Sequence, residues 1–413
     1  MNISAEEIRR KSEEFREQII TDRRYLHRIP EIGTDLPQTS SYIKKKLDEM
    51  GIPWKDCGGR LPAQMTEDFV KAGFPRMEKE TGVAAVIGNG SPCILLRADM
   101  DALPIKEDNS LDFKSTNGCG HMCGHDGHAA MLLGAARILK SMEDRLEGTV
   151  KLMFQPGEET GAGARMMVED GILSDPEPGA AFGLHVQPTD ETGQIGFATG
   201  VNSASLDTFI LKIKGKGGHS SQPQLCTDPL MVMNQVYQAL NLLVTREADP
   251  AAMVTLTCGV ARGGTAVNII PNEAELHIGL RTLNVEAAEH LKERIPQVID
   301  HYVKAWNAGY ELTTFHTPCT LTDETLCRQL VPHICEITGP DSVHEIPAMT
   351  GTEDFGYVTQ EIPGMFAFIG AGKPGNAPLH SPQMILDENV LPLGAAVYAN
   401  AAVSWLEQNK ASE

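Results

Sequence analysis

The sequence predicts an α/β protein, a mostly parallel sheet covered by helices, with a small ferredoxin-like βαββαβ domain inserted into it. Strand-like runs alternate with helix-length stretches from about residue 80 to residue 186, and again after residue 316. That is the pattern of a parallel sheet with both faces covered. Between those stretches the order becomes strand, helix, two strands, helix, strand, as in a ferredoxin-like unit. At 413 residues the chain is long enough for both domains.

The elements follow from local pattern. The apolar run Cys93 to Ala98 is a strand ending at DMDALP. Gly127 to Met142 carries Ala and Leu nearly all round, so it reads as a helix buried on most sides. Strand Thr149 to Gln155, helix Ala162 to Asp170 and strand Ala180 to Val186 continue the alternation. The inserted domain starts with strand Phe209 to Gly215. Helix Asp228 to Thr245 follows, with Pro229 suited to its first turn. Strands Met253 to Ala261 and Glu273 to Thr282, helix Val285 to Trp306 and strand Glu311 to Phe315 complete it. Then come helix Thr325 to Gly339, a GTEDF loop, strand Met365 to Gly370 and a last helix from Val390 to Gln408. The expected division is 1–204 with 316–413 as the catalytic domain, and 205–315 as an inserted lid or dimerisation domain. Residues 57–80, rich in Gly, Pro and charge, read as an insertion loop.

Bulk properties exclude several functions. The net charge of −20 argues against nucleic acid or an anionic membrane as partner. Any anion recognised here needs a local basic residue. No run approaches the length of a membrane span. The charged, helix-patterned N-terminus resembles no targeting sequence. Nine cysteines, an odd number, suggest reduced thiols and a cytoplasmic protein.

Between Gly118 and Ala130 the chain reads GCGHMCGHDGHAA, with two cysteines, three histidines and an aspartate in thirteen residues. Thiolate and imidazole suit a borderline-soft divalent metal, and the glycines let neighbouring side chains converge. With no second C-x-x-C the cluster is one corner of a site, not a complete zinc module. Further metal-type residues fall past the carboxyl ends of predicted strands: Asp99 and Asp101, Glu158 and Glu159, His185, and His380. That edge is where open α/β sheets bind ligands. Singly, an EE pair reads as solvated surface and a lone His as structural; together they indicate a metal centre. One thiolate, several imidazoles and a carboxylate exceed the ligand set of one tetrahedral ion, so two metals are expected. Of Glu158 and Glu159, one can bind metal while the other takes a proton from water.

The inserted domain adds His219 in GKGGHSSQP, placed to stabilise a developing oxyanion. Asn268 and Arg281, in GGTAVNIIPNEAELHIGLRT, suit a carboxylate. Glycines 370, 372 and 375 are spaced like a dinucleotide fingerprint. The prolines of KPGNAPLHSP follow where a helix would have to start, which excludes that use.

RADMDALP, MCGHDGH, FQPGEE, GLHVQP, GGHSSQP, GTAVNIIPNEAELHIGLRT, GTEDFG and LHSPQ occur in this order over nearly the whole chain. Together they resemble the amidohydrolase branch of the aminoacylase and carboxypeptidase-like dinuclear metallopeptidases. The resemblance implies Cys123, His125, Glu159, His185 and His380 as ligands of two divalent ions (Zn, Mn, Co or Ni). It implies Glu158 as the base, Asp101 as the group that orients a ligand, and His219, Asn268 and Arg281 as substrate contacts. It further implies hydrolysis of an N-acyl amino acid or related conjugate, with dipeptidase or carboxypeptidase activity as the alternative. A homodimer or higher homo-oligomer is expected. Met122, the PGEE string, and Leu225, Cys226 and Thr227 depart from the usual pattern. None removes a metal ligand; they bear on the substrate pocket and its specificity.

Overall fold

Strands Cys93–Asp99 and Thr149–Gln155 are buried along their whole length in the computed structural model, which describes residues 3–410. Residues 1–2 and 411–413 of the expected catalytic domain lie outside the described residues. Strands buried at every residue need cover on both faces. Among the described residues, the two strands lie inside an eight-stranded sheet. Its spatial order is Trp54–Cys57, Gly82–Gly88, Thr149–Gln155, Cys93–Asp99, Ala180–Glu191, Gly364–Gly372, Ile195–Phe197, Val343–Glu345. The four strands from Thr149–Gln155 to Gly364–Gly372 are parallel to one another. Asp99 pairs with Gln155, and Arg97 pairs with both Met153 and Gly183. The segments carrying Asp101, Glu158 and His185 therefore reach the same edge of the sheet.

The chain divides into two units. The first comprises Met1–Asn202, Thr320–Pro347 and Asp354–Glu413. Its central helix, His125–Lys140, is buried nearly all round, as its composition predicts. It packs against Val390–Asn409, which is buried from Val390 to Leu406 apart from partly buried Leu393. The approach is close at Gly134, where an added Cβ would lie 2.8 Å from Ala395 Cβ and 2.8 Å from Ile19 Cδ1.

The second unit comprises Ser203–Cys319 and Ala348–Glu353. Four antiparallel strands stand in the order Val254–Gly263, Glu273–Thr282, Ser205–Lys214, Gly309–Thr317. Helices Pro229–Glu247 and Val285–Ala305 share one core with the sheet. Strand Glu273–Thr282 alternates strictly: Ala274, Leu276, Ile278 and Leu280 are buried, while Glu275, His277, Gly279 and Arg281 occupy the other, partly exposed face. Asp228 and Asn284 cap the two helices with their side chains.

Three differences from the sequence reading have physical causes. Residues 57–80 are not all loop, because Ala63–Ala72 is a helix with Phe69 buried, ended by left-handed Gly73. Its single buried stripe is too short to stand out among the surrounding Gly and Pro. The run GVAAVIG, unassigned in the sequence, is strand Gly82–Gly88. Residues 348–353 of the GTEDF region belong to the second unit, where Ala204 N–H donates to Met349 O at 3.0 Å and to Gly351 O at 2.9 Å.

Substituting Gly134 by Val (G134V) overfills the contact between the two central helices. It is expected to cost about 1–3 kcal/mol, read as a lower urea midpoint at unchanged slope.

Candidate metal centre

Two glycines set the backbone of the centre. Gly124 has φ +86, and a Cβ there would lie 2.4 Å from Val186 Cγ2. Only glycine fits, so the chain turns sharply from Cys123 into the helix that starts at His125. Gly157 has φ +70, and a Cβ there would strike Thr34 Cγ2 at 2.6 Å. This turn follows strand Thr149–Gln155 and brings Glu158 and Glu159 round at its end. His380 has φ +62, a rare conformation for a residue with a side chain. Its N–H donates to Met122 O at 2.7 Å, which fixes it beside Cys123.

Cys123, His125 and His185 form one group of converging donor atoms, and Cys123, Glu159 and His380 another, each within 4.8 Å. Cys123 is common to both. Its Sγ lies 3.5 Å from His185 Nε2 and 3.3 Å from His380 Nε2. Glu159 Oε1 is 3.4 Å from His380 Nε2. Glu158 joins His125 and Glu159 in a third group of the same kind. His125 Nε2 and Glu159 Oε1 are buried and make no hydrogen bond. Buried polar atoms without partners are rare, and a divalent cation satisfies such donors. The residues present therefore fit two ions.

The surrounding hydrogen bonds fix which ring nitrogen is available. His185 Nδ1 donates to Val186 O at 2.8 Å, leaving Nε2 toward Cys123. Asp101 accepts from His125 Nδ1 at 3.2 Å and from the N–H groups of Glu158 and Glu159, each at 3.1 Å. One carboxylate thus orients a ring and holds both glutamates. A further pair, Asp99 with His128, stands at the same edge. His128 Nε2 accepts from Val186 N–H at 2.8 Å, so Nδ1 donates to Asp99 Oδ1. Both nitrogens of His128 are committed, which makes it a support rather than a ligand. Arg97 pairs with Asp99 at 3.0 Å and with Asp354 at 3.1 Å, and Asp354 also accepts from Gln155 and from Ala164 N–H.

Electrostatics reflect this crowding. Burial raises the Cys123 thiol above its ordinary value. A hydrogen bond to Cys123 and the adjacent Glu159 carboxylate push His380 up to about 10. Burial alone would raise Asp99, but the charges of His125 and Arg97 and the hydrogen bond from His128 hold it far below the usual carboxylate range.

His27, far in sequence from the GCGHMCGHDGHAA cluster, is a buried bridge. Its Nδ1 lies 2.9 Å from Asp126 Oδ2 and its Nε2 2.9 Å from Glu107 Oε2. Arg23 Nε donates to the same Asp126 oxygen at 2.8 Å. Burial opposes ionisation of Glu107, yet its hydrogen bond and charge pairing with His27 bring it down to about 2.

On the second unit, His219 lies on the short strand Gly218–His219, paired with Ile269–Ile270 next to Asn268. Its Nδ1 accepts from Ser221 N–H at 3.1 Å, so the neutral ring carries its proton on Nε2. His219 and Asn268 are exposed. Arg281 NH1 donates to Thr352 Oγ1 at 2.6 Å and to Thr350 O at 3.5 Å. Among the described residues Arg281 forms no ion pair, and burial lowers its pKa.

A family model described as Peptidase family M20/M25/M40 matches residues 95–404. The chain belongs to this family. Relatives match over nearly the full length. An IAA-amino acid hydrolase, ILR1-like 5 of Arabidopsis thaliana, is 37% identical, covering 97% of this chain and 90% of its own. An N-acetyl-L-cysteine deacetylase of Bacillus subtilis is 34% identical, covering 96% and 90%. Thermostable carboxypeptidase 2 of Saccharolobus solfataricus is 30% identical, covering 97% and 98%. A solved dinuclear metal-binding peptidase of the M20 family from Bacillus subtilis superposes with a TM-score of 0.73 at 31% identity, covering 96% of this chain and 99% of its own.

Replacing Asp101 by Asn (D101N) sets an amide NH₂ among donors. This is expected to weaken metal binding about 10–100-fold, measured by competition with a chromophoric chelator; unchanged affinity would contradict the role given to Asp101. E107Q is expected to lower the unfolding midpoint at pH 7. Its deficit should shrink in acid, because the Glu107 contribution is present above the usual value of 4.5 and lost as pH falls through about 2.

Proposed function

We propose that this M20-family chain hydrolyses the amide bond of N-acyl amino acids or related amino-acid conjugates. That it is a metal-dependent amide hydrolase follows from its family and from relatives that include amino-acid conjugate hydrolases and deacetylases. The observation that carries the finer reading is the shared position of Cys123 between two donor groups, with Glu158 beside them.

Cys123, His125, Glu159, His185 and His380 are proposed to hold two divalent ions. When bound, such ions lower the pKa of water toward neutrality and polarise a carbonyl. Glu158 takes the proton of the attacking water and returns it to the leaving amine. Its backbone is held by Asp101, so the carboxyl is aimed before substrate arrives. His219 is proposed to donate Nε2–H to the developing oxyanion, the tautomer that Ser221 enforces. Asn268 and Arg281 are proposed to bind the substrate carboxylate. Arg281 supports this role as a cation with only neutral partners.

The carboxypeptidase or dipeptidase alternative is favoured by one observation, the similarity to thermostable carboxypeptidase 2. Parallel assays of N-acetyl and N-benzoyl amino acids against dipeptides, after loading with Zn, Mn, Co or Ni in turn, separate the two and identify the working metal. A homodimer is also proposed. Edge strand Val254–Gly263 of the second unit has its outer backbone side available to a second copy. A cytoplasmic location is proposed from the nine cysteines, all free thiols.

E158Q is expected to retain both ions and to lose about 10²-fold or more in kcat. Wild-type turnover by a metal-loaded E158Q protein would overturn the assignment of the base.

A further inference from the structure

The face of the second unit's sheet opposite its helices carries a groove of about 240 Å³. Three successive rows of side chains cross it. Arg281 stands between Leu206 and Thr255, Gly279 between Thr208 and Thr257, and His277 beside Ile210. The middle row is bare at its centre because Gly279 has no side chain.

Nothing in the fold requires glycine there. Gly279 does not have the positive φ that favours glycine, and an added Cβ would meet only Leu206 Cδ1 at 3.8 Å and Thr257 O at 4.0 Å, both ordinary contacts. A glycine inside a strand weakens it and marks a place where something else approaches the backbone closely. The groove's second glycine, Gly259, also has open space above it. At one end lies Arg281, half-buried and held by two threonine oxygens, with no carboxylate against it. In a chain of net charge −20, an arginine kept from every acidic residue is reserved for an anion that comes from outside. The imidazole at the other end is already occupied by Glu275. The groove therefore offers one cation, then a bare, largely apolar floor flanked by two hydroxyls.

We propose that this groove selects the amino-acid half of the substrate, with its carboxylate on Arg281 and its side chain lying over Gly279 between Thr208 and Thr257. Gly279 is then a specificity-determining residue, and the open floor admits large side chains. This rests on the amidohydrolase reading above.

The test compares N-acetylglycine with N-acetylmethionine and N-acetylphenylalanine as substrates for metal-loaded wild type, G279V and R281Q. G279V should keep the wild-type melting temperature. It should hold kcat/KM for N-acetylglycine within about twofold, and lose about tenfold or more for the two large substrates, the scale on which a filled pocket discriminates. R281Q should raise KM for all three by about tenfold, the loss expected for one charged hydrogen bond. It should leave the corresponding carboxamides unaffected. Equal effects of G279V on small and large substrates, or equal effects of R281Q on acids and carboxamides, would overturn the proposal while the amidohydrolase reading stands. Calorimetric titration with free methionine and phenylalanine gives the opposite separation. If wild type hydrolyses none of the three substrates yet binds these amino acids, and G279V and R281Q abolish binding, the groove stands and the hydrolase reading falls. Absence of binding by wild type overturns the groove.

Discussion

Asp101 is buried and accepts three hydrogen bonds, one from a ring and two from backbone. These bonds tie together the segment after one strand, the first residue of the central helix and the turn after a neighbouring strand. The parallel register brings the three segments to one edge, and Asp101 fixes them there to within a hydrogen bond. Because Gly157 and Gly124 are the only residues their turns accept, the two glutamates and His125 have few alternative positions. Ligand geometry at this centre is therefore a property of the sheet and its turns more than of any flexible loop.

The same edge concentrates buried acid. Asp99, Asp101 and Glu159 stand close to a thiol, in a chain that is already strongly anionic. Burial without compensation would be costly. Compensation comes in layers. Arg97 lies beneath Asp99, and His128 and His125 lie beside it. Above them, His125 Nε2 makes no hydrogen bond, and Glu159 Oε1 meets His380 Nε2 only at 3.4 Å. The unmet demand falls on the side where His185, His380 and Cys123 converge, so the polarity of the whole arrangement points toward cations.

Much of this was legible in the sequence, where donor and pattern coincide. Strands Thr149–Gln155 and Glu273–Thr282 are bounded to the residue in the sequence, because a proline lies just outside each and their patterns, a mostly apolar run and a strict alternation, are clear. The metal-type residues stood out because their chemistry is scarce and glycine surrounds it. The rest depends on partners distant in sequence. His128 lies inside the GCGHMCGHDGHAA cluster, and it is the distant Asp99 and Val186, engaging both its nitrogens, that make it a support. His27 acquires its role only from Asp126 and Glu107, 99 and 80 residues away. Three-residue strands such as Ile195–Phe197 and Val343–Glu345 are too short to show a period, and pair only because longer strands lie beside them.

Cys123 is 7% exposed, and burial keeps its thiol above the ordinary range. Peroxides and alkylating agents attack the thiolate, and attack it where they can reach it. A buried thiol that keeps its proton offers such reagents little, so the same burial that gathers these donors also shields their sulfur.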